Sequence, residues 1–242
     1  MRIGIFDSGL GGINVLNELI NKYPNNEYIF LGDTKNLPYG TKNIEELEKL
    51  ASNNINFLLT KNVDIIIIAC GTVSSNCYDY LKGKYNIPIY DIISPTLDYI
   101  NNSNFNRVGV IATNGTINSK AFEKSSKVTK TLATPSFVPI IEDGIITNKE
   151  EEEVKKVLEP LKDNIDSLVL GCTHYPLLSN IISNYLNIPL IDMGKCLLNR
   201  LDIKEETNLK IELYFTKINN NILNNLKATL KHKYIVEKVD LS

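Results

Sequence analysis

One pattern occurs twice in this chain, and it constrains the fold more than any other feature. The first copy reads Asp64, a run of isoleucines and Ala69-Cys70-Gly71-Thr72, then continues to Asn86-Ile87-Pro88-Ile89 and Asp91. The second reads Asp166-Ser167-Leu168-Val169-Leu170-Gly171-Cys172-Thr173, then continues to Asn187-Ile188-Pro189-Leu190 and Asp192. The two leading aspartates are separated by the same interval as the two cysteines. A further pair, Arg2-Ile3-Gly4-Ile5-Phe6-Asp7 against Arg107-Val108-Gly109-Val110-Ile111-Ala112, repeats upstream. Matching apolar runs bounded by matching turn residues predict matching local structure. The chain is therefore expected to hold two copies of one unit.

The pattern within each copy sets the class of that unit. Arg2–Phe6, Tyr28–Leu31, Asp64–Ala69, Ile87–Ile92, Arg107–Ala112, Phe137–Ile141, Ser167–Leu170, Ile188–Ile191 and Lys210–Phe215 read as strands, short and rich in Ile and Val. Gly12–Asn21, Ile44–Leu59, Ser74–Leu81, Ser119–Lys127, Lys149–Leu161, Leu177–Tyr185 and the Asn-rich Ile218–Leu230 read as helices. The acidic run Glu150–Glu153 is expected to be a solvated first turn, where carboxylates suit the helix dipole. Alternating strands and helices predict an α/β fold of two similar doubly wound domains with mostly parallel sheets. The two should be related by a pseudo-twofold, with the active site in the cleft between them. No Gly/Ser/Pro-rich linker divides the copies, and the tail is too short for a domain. The expected domains are 1–93 with 205–242, and 94–204.

Bulk properties narrow the class of function. The net charge of −2 gives no electrostatic reason to expect nucleic acid or an anionic membrane as partner. No apolar run is long enough to span a bilayer, and the N-terminus carries too short an apolar stretch for a signal peptide. These features point to the cytoplasm. In that compartment Cys70, Cys77, Cys172 and Cys196 are expected as free thiols. With His174 and His232 the only histidines and no C-x-x-C pair, no metal site is expected.

In open parallel sheets ligands bind beyond the carboxyl ends of strands. Asp7-Ser8, Cys70, Thr113 and Cys172-Thr173-His174 all follow expected strands. A lone cysteine is most simply a small buried hydrophobe. Two at matching strand ends, each expected to lead into a helix N-terminus that favours a thiolate, are a different matter. If the copies face each other, two thiols meet across one cleft. Inversion of a carbon stereocentre is one of the few reactions that needs like acid–base groups on both sides of a small molecule. The loop Asp7-Ser8-Gly9-Leu10-Gly11-Gly12 is neither a dinucleotide fingerprint nor a P-loop. Its expected role is a tight turn whose N–H groups cradle an anion.

The chain resembles the glutamate racemases of the cofactor-independent Asp/Glu racemase superfamily over nearly its whole length. The resemblance rests on Asp7–Gly12, Gly32-Asp33-Thr34, Pro38-Tyr39-Gly40-Thr41, Ala69-Cys70-Gly71-Thr72, Val138-Pro139-Ile140-Ile141-Glu142 and Gly171-Cys172-Thr173-His174-Tyr175-Pro176. It implies interconversion of L- and D-glutamate without a cofactor, with D-glutamate supplied to peptidoglycan synthesis, and it allows a homodimer. By resemblance Cys70 and Cys172 are the acid–base pair, Asp7 assists Cys70, and His174 and Glu142 assist Cys172. Ser8, Pro38, Tyr39, Gly40, Gly71, Thr72, Thr116 and Thr173 fall at substrate-binding positions. Two positions depart from the pattern. Gly71 replaces the Asn that usually follows the first cysteine, and Met193 stands where a small Ser often follows the aspartate.

Three rival readings stand beside this one. A racemase of aspartate or another amino acid would keep both thiols, and Gly71 keeps that alternative open. A decarboxylase on the same scaffold would need one protonating cysteine. A non-catalytic amino-acid-binding regulatory module would need neither.

Overall fold

The structure, a computed structural model, describes residues 1–144, 146–204 and 208–241. The first half runs β1 (Arg2–Asp7), α1 (Gly12–Lys22), β2 (Glu27–Gly32), α2 (Ile44–Thr60), β3 (Ile65–Ile68), α3 (Gly71–Lys84), β4 (Ile89–Tyr90) and α4 (Ile93–Asn102). The second runs β5 (Val108–Ala112), α5 (Asn114–Asn118), β6 (Val128–Ala133), α6 (Phe137–Asp143), α7 (Asn148–Leu158), β7 (Ser167–Leu170), α8 (Ser179–Leu186), β8 (Leu190–Asp192) and α9 (Met193–Leu198). The chain closes with β9 (Lys210–Phe215), α10 (Asn220–Thr229) and β10 (Ile235–Lys238).

These strands form two sheets, ordered β10-β9-β2-β1-β3-β4 and β6-β5-β7-β8, and every pairing is parallel. The order β2-β1-β3-β4 recurs strand for strand as β6-β5-β7-β8, so the repeat in the sequence is a repeat of topology. The C-terminal strands β9 and β10 extend the first sheet beyond β2. The boundary expected at 93/94 falls at the first residue of α4. The boundary expected at 205 falls on residues outside the described ones.

Most of the repeated residues turn out to do structural work. Asp64 accepts the main-chain N–H of Arg2 at 2.7 Å, and Asp166 accepts that of Arg107 at 2.9 Å. Each aspartate thus ties the entry of one strand to the start of its neighbour. The carbonyls of Pro88 and Pro189 accept from Ile66 and Leu168, setting the edge strand against the cysteine-bearing strand. Asp91 accepts from Ile93 and Ser94 at the start of α4, and Asp192 from Gly194 and Lys195 at the start of α9. Carboxylates there satisfy otherwise orphaned helix donors.

The isoleucines of β3 are all buried because both faces of a parallel sheet are covered. Each such side chain stabilises the sheet by about 1.5–3 kcal/mol relative to exposure. One apolar cluster runs from Ile3, Leu16 and Phe30 to Val108, Val169, Ile191 and Leu197, so a shared core joins the two sheets.

Some expectations need correction. Phe137–Ile141 is helical, not a strand: its buried residues Phe137, Ile140 and Ile141 follow the helical period. Pro139 sits in the first turn of α6, where its missing N–H has no intrahelical partner to lose. The same rule accommodates Pro95 in the first turn of α4. Ser119–Lys127 is not one helix, because Lys120 takes a left-handed conformation at φ 56° between α5 and a 3₁₀ turn. The edge strands β6 and β10 are partly exposed and lack an apolar run, so they were not legible. The acidic run behaves as expected: Glu150 accepts the N–H of Thr147 and closes a capping box on α7.

Candidate active site

The site forms where the carboxyl ends of the two sheets approach each other. Cys70 follows β3 and is the N-cap residue of α3, and Cys172 follows β7. Both thiols line one cavity of about 30 Å³, together with Ser8, Gly40, Thr72, Thr113, Thr173 and His174. Cys70 is 4% exposed and Cys172 7%. A cavity of this size holds a water or two, not an amino acid. An outer cavity of about 330 Å³ shares Leu37, Pro38, Gly40, Thr113 and Val138 with it and reaches Glu142.

On one side, Cys70 Sγ lies 3.7 Å from Ser8 Oγ, and the N–H of Val73 also points at the sulfur. Burial, reinforced by the negative charge of Asp7, pushes the Cys70 thiol up to about 12. Cys70 therefore rests as a thiol. Asp7 is fully buried, and its Oδ2 accepts the N–H of Gly12 at 2.8 Å and the Thr173 hydroxyl at 3.3 Å. The glycine-rich loop turns its donors on Asp7 itself: the N–H of Gly12 meets Oδ2, and those of Ser8 and Gly9 also pull the carboxyl toward its charged form. Burial still raises the Asp7 carboxyl above its usual range, against the pull of those donors and of His174. Its Oδ1 is buried without a hydrogen-bond partner.

On the other side, Cys172 does not head an α-helix. Pro176 leads the chain through a short 3₁₀ turn, Tyr175–Leu178, before α8 begins. The electrostatic partner of Cys172 is a side chain instead. His174 Nδ1 lies 3.6 Å from Cys172 Sγ, and Nε2 lies 2.7 Å from Glu142 Oε1 on α6. Burial works against the charged imidazolium, but hydrogen bonds to Cys172 and Glu142 outweigh it and hold His174 well above its ordinary value. Asn221 on α10 donates to the carbonyl of Glu142, so the C-terminal segment also anchors this relay.

The positions expected to bind substrate divide into three groups. Ser8, Pro38, Gly40, Gly71, Thr72 and Thr173 line the inner cavity. Tyr39 contributes to its wall, but its hydroxyl turns away, donating to Asp33 at 2.6 Å and accepting from Asn54 at 3.2 Å. Thr116 lies outside the lining and reaches it through hydroxyls: Thr113 contacts Thr116 at 3.2 Å and Thr72 at 2.9 Å. Thr113 was recognisable at a strand end but carried no expected role. Asp33 was missed as an organiser of the site: its carboxylate also accepts from Asn36 and Thr216, pinning the loop that carries Pro38 and Gly40 to the end of β9. Its signal was a Gly-Asp pair at a strand end.

Gly71 is explained by proximity. It has no positive φ; a Cβ there would stand 2.8 Å from the Gly171 carbonyl oxygen across the cleft. Cys77 and Cys196 are buried away from the cavity. Among the described residues, no cluster of three or more His, Cys, Asp or Glu could hold a metal, and no helix is long and apolar enough to cross a membrane.

The chain is similar to known proteins along nearly its whole length. A family model described as Asp/Glu/Hydantoin racemase matches residues 8–201. Glutamate racemase of Aquifex aeolicus is 36% identical over 239 residues, covering 95% of this chain and 94% of the relative. That of Hydrogenobaculum is 36% identical over 252 residues, covering 100% and 97%. Among solved structures, glutamate racemase from Francisella tularensis in complex with D-glutamate superposes with a TM-score of 0.86 at 32% identity, covering 99% of this chain and 97% of that one. Isoform RacE1 from Bacillus anthracis superposes with a TM-score of 0.91 at 27% identity over the same shares.

Proposed function

The chain belongs to the Asp/Glu/Hydantoin racemase family, and from that premise we propose how its cleft works. It is an amino-acid racemase that interconverts L- and D-glutamate, and the D-glutamate it makes feeds peptidoglycan synthesis. The observation that carries the mechanism is that Cys70 and Cys172, one from the end of each sheet, line one buried cavity. One sulfur, as thiolate, removes the α-proton. The opposite thiol then gives its proton to the other face of the carbanion. One S–H bond forms as the other breaks, so turnover leaves the pair in the reverse protonation state and sets up the opposite direction.

The surroundings support this division of labour. Cys70 is favoured as the donor because burial and Asp7 keep it protonated. His174, whose cationic form is favoured by Cys172 and then by Glu142, is placed to stabilise negative charge developing on Cys172. Asp7, His174 and Glu142 act as assisting groups rather than as proton carriers to carbon. Thr72 and Thr173, with Ser8, supply donors for the substrate carboxylates, where fixed dipoles stabilise the carbanionic intermediate. The working units are read as 1–93 with 205–242, and 94–204, closing on the substrate between them.

The test is direct. The purified protein is incubated separately with L-glutamate, D-glutamate and L-aspartate, and optical activity is followed by circular dichroism. Loss of signal from both glutamate enantiomers to one common endpoint is expected. A protein that acts on aspartate alone, or on neither substrate, overturns the reading.

A further inference from the structure

The Thr173–His174 dipeptide follows Cys172 at the end of the second sheet, yet residues from the start of the chain hold it in place. Asp7, at the end of β1, accepts the Thr173 hydroxyl at 3.3 Å. Gly11 lies directly against the dipeptide: a Cβ added there would stand 2.6 Å from His174 Nδ1 and 2.8 Å from the His174 main-chain nitrogen. The third contact is made by a side chain. Asn14, in the first turn of α1, donates from Nδ2 to the Thr173 carbonyl at 3.0 Å. The main-chain N–H of Asn14 donates in turn to the Gly11 carbonyl at 3.1 Å, so the amide is carried on the same tight loop. Around it on α1, Ile13, Val15 and Leu16 are buried, while Asn14 is half-buried. Asparagine is a poorer helix former than alanine, so helix propensity does not account for it at this position.

We propose that Asn14 is a positioning residue for the reaction: by holding the Thr173 carbonyl it fixes the peptide between Thr173 and His174, and so keeps the imidazole in line between Cys172 and Glu142. The Thr173 carbonyl and the His174 N–H belong to one rigid plane. A donor on that carbonyl therefore limits rotation of the atoms that carry the imidazole. The imidazole has two partners to satisfy at once, Cys172 Sγ at 3.6 Å from Nδ1 and Glu142 Oε1 at 2.7 Å from Nε2. A tilt of the ring lengthens at least one of these contacts, and misplacement of a working group is costly to rate. Asn14 itself does not line the inner cavity. The charged and titratable groups that act on the imidazole are Cys172 after β7, Glu142 on α6 and Asp7 on β1. The first turn of α1, Gly12-Ile13-Asn14, carries no charge. Removing the Asn14 amide thus changes His174 by moving it, not by altering a neighbouring charge. The inference rests on the glutamate racemase reading for its kinetic consequences, but not for the hold on His174.

The test is Asn14→Leu, which keeps the approximate volume of the side chain and removes the donor. The chain has two histidines, His174 and the exposed His232, so NMR of protein labelled with ¹⁵N-histidine follows His174 without any assay of activity. The hydrogen bonds to Cys172 and Glu142 keep His174 titrating high against its burial. In Asn14→Leu its midpoint should fall by about 0.5 pH or more, as expected when a hydrogen bond of ordinary strength is weakened. The signals of His232 should not move between the two proteins. On glutamate, kcat should fall about three- to tenfold with KM within about twofold of wild type, and Tm should stay within about 4 °C. An unchanged His174 titration, or a kcat within twofold of wild type, overturns the proposal. If the Leu variant does not fold, Asn14→Ala, which removes the amide without adding bulk, decides by the same criteria. A wild type without glutamate activity would sink the functional reading alone, because the hold on His174 is still read from its titration.

Discussion

Replacing Glu142 by Gln tests how the Cys172 side of the cleft is tuned. The substitution keeps the shape of the side chain and removes its charge. Glu142 Oε1 lies 2.7 Å from His174 Nε2, the imidazole is buried, and the carboxylate side chain is 27% exposed. A hydrogen bond between charged partners is worth about 1.5–3 kcal/mol, and the partial exposure of Glu142 favours the lower end. At about 1.4 kcal/mol per tenfold, kcat/KM at neutral pH should fall about tenfold in the direction that needs His174 charged. The sign of the pH dependence follows from the raised pKa of His174. Its protonated form is fully present at low pH and is lost as pH rises through the native value. Without the carboxylate that loss comes earlier, so the alkaline limb of the kcat/KM profile moves toward acid and the deficit shrinks as pH is lowered. The assay is circular dichroism of both enantiomers across the pH range, with Tm as a control on folding. An unchanged profile with unchanged rate would refute the idea that Glu142 holds the charge on His174.

Two further outcomes follow from the geometry. Asp33→Asn replaces a fully buried acceptor that takes bonds from Tyr39, Asn36 and Thr216; it should cost about 2 kcal/mol, lower Tm by about 4–8 °C and raise KM, since the loop carrying Pro38 and Gly40 is released. Asp64→Ala and Asp166→Ala should behave alike, each losing about 1 kcal/mol in chemical denaturation with kcat within twofold of wild type, because each carboxylate only clamps a strand entry.

How much of this was legible depends on which residues carry local signals. The duplicated order of strands could be read because β1, β3, β5 and β7 are short apolar runs ended by Asp, Cys, Gly or Thr. The thiols could be read because they sit at equivalent ends of β3 and β7. What the sequence could not reveal is which repeated residues do chemistry. Asp64, Asp91, Asp166 and Asp192 repeat as faithfully as the cysteines, and they are clamps and caps. Phe137–Ile141 was misread because a short apolar run fits a strand and a buried helix alike, and Pro139 in the first turn of a helix costs no hydrogen bond. The reason for Gly71 was hidden for a different cause. A glycine required by close approach to a residue about a hundred positions away, Gly171, leaves no mark in its own neighbourhood.

The claim that two thiols serve opposite faces of one carbon is tested most directly by racemisation in D₂O. Starting from D-glutamate, proton NMR follows the α-position of the remaining substrate and of the newly formed L-glutamate. The two-thiol account predicts that early product carries deuterium at the α-carbon while unreacted substrate keeps its proton, since the sulfur that removes one is not the sulfur that delivers the other. It also predicts that Cys70→Ser and Cys172→Ser each abolish interconversion. Deuterium entering the substrate pool as fast as the product, or full racemisation surviving in either variant, would contradict it.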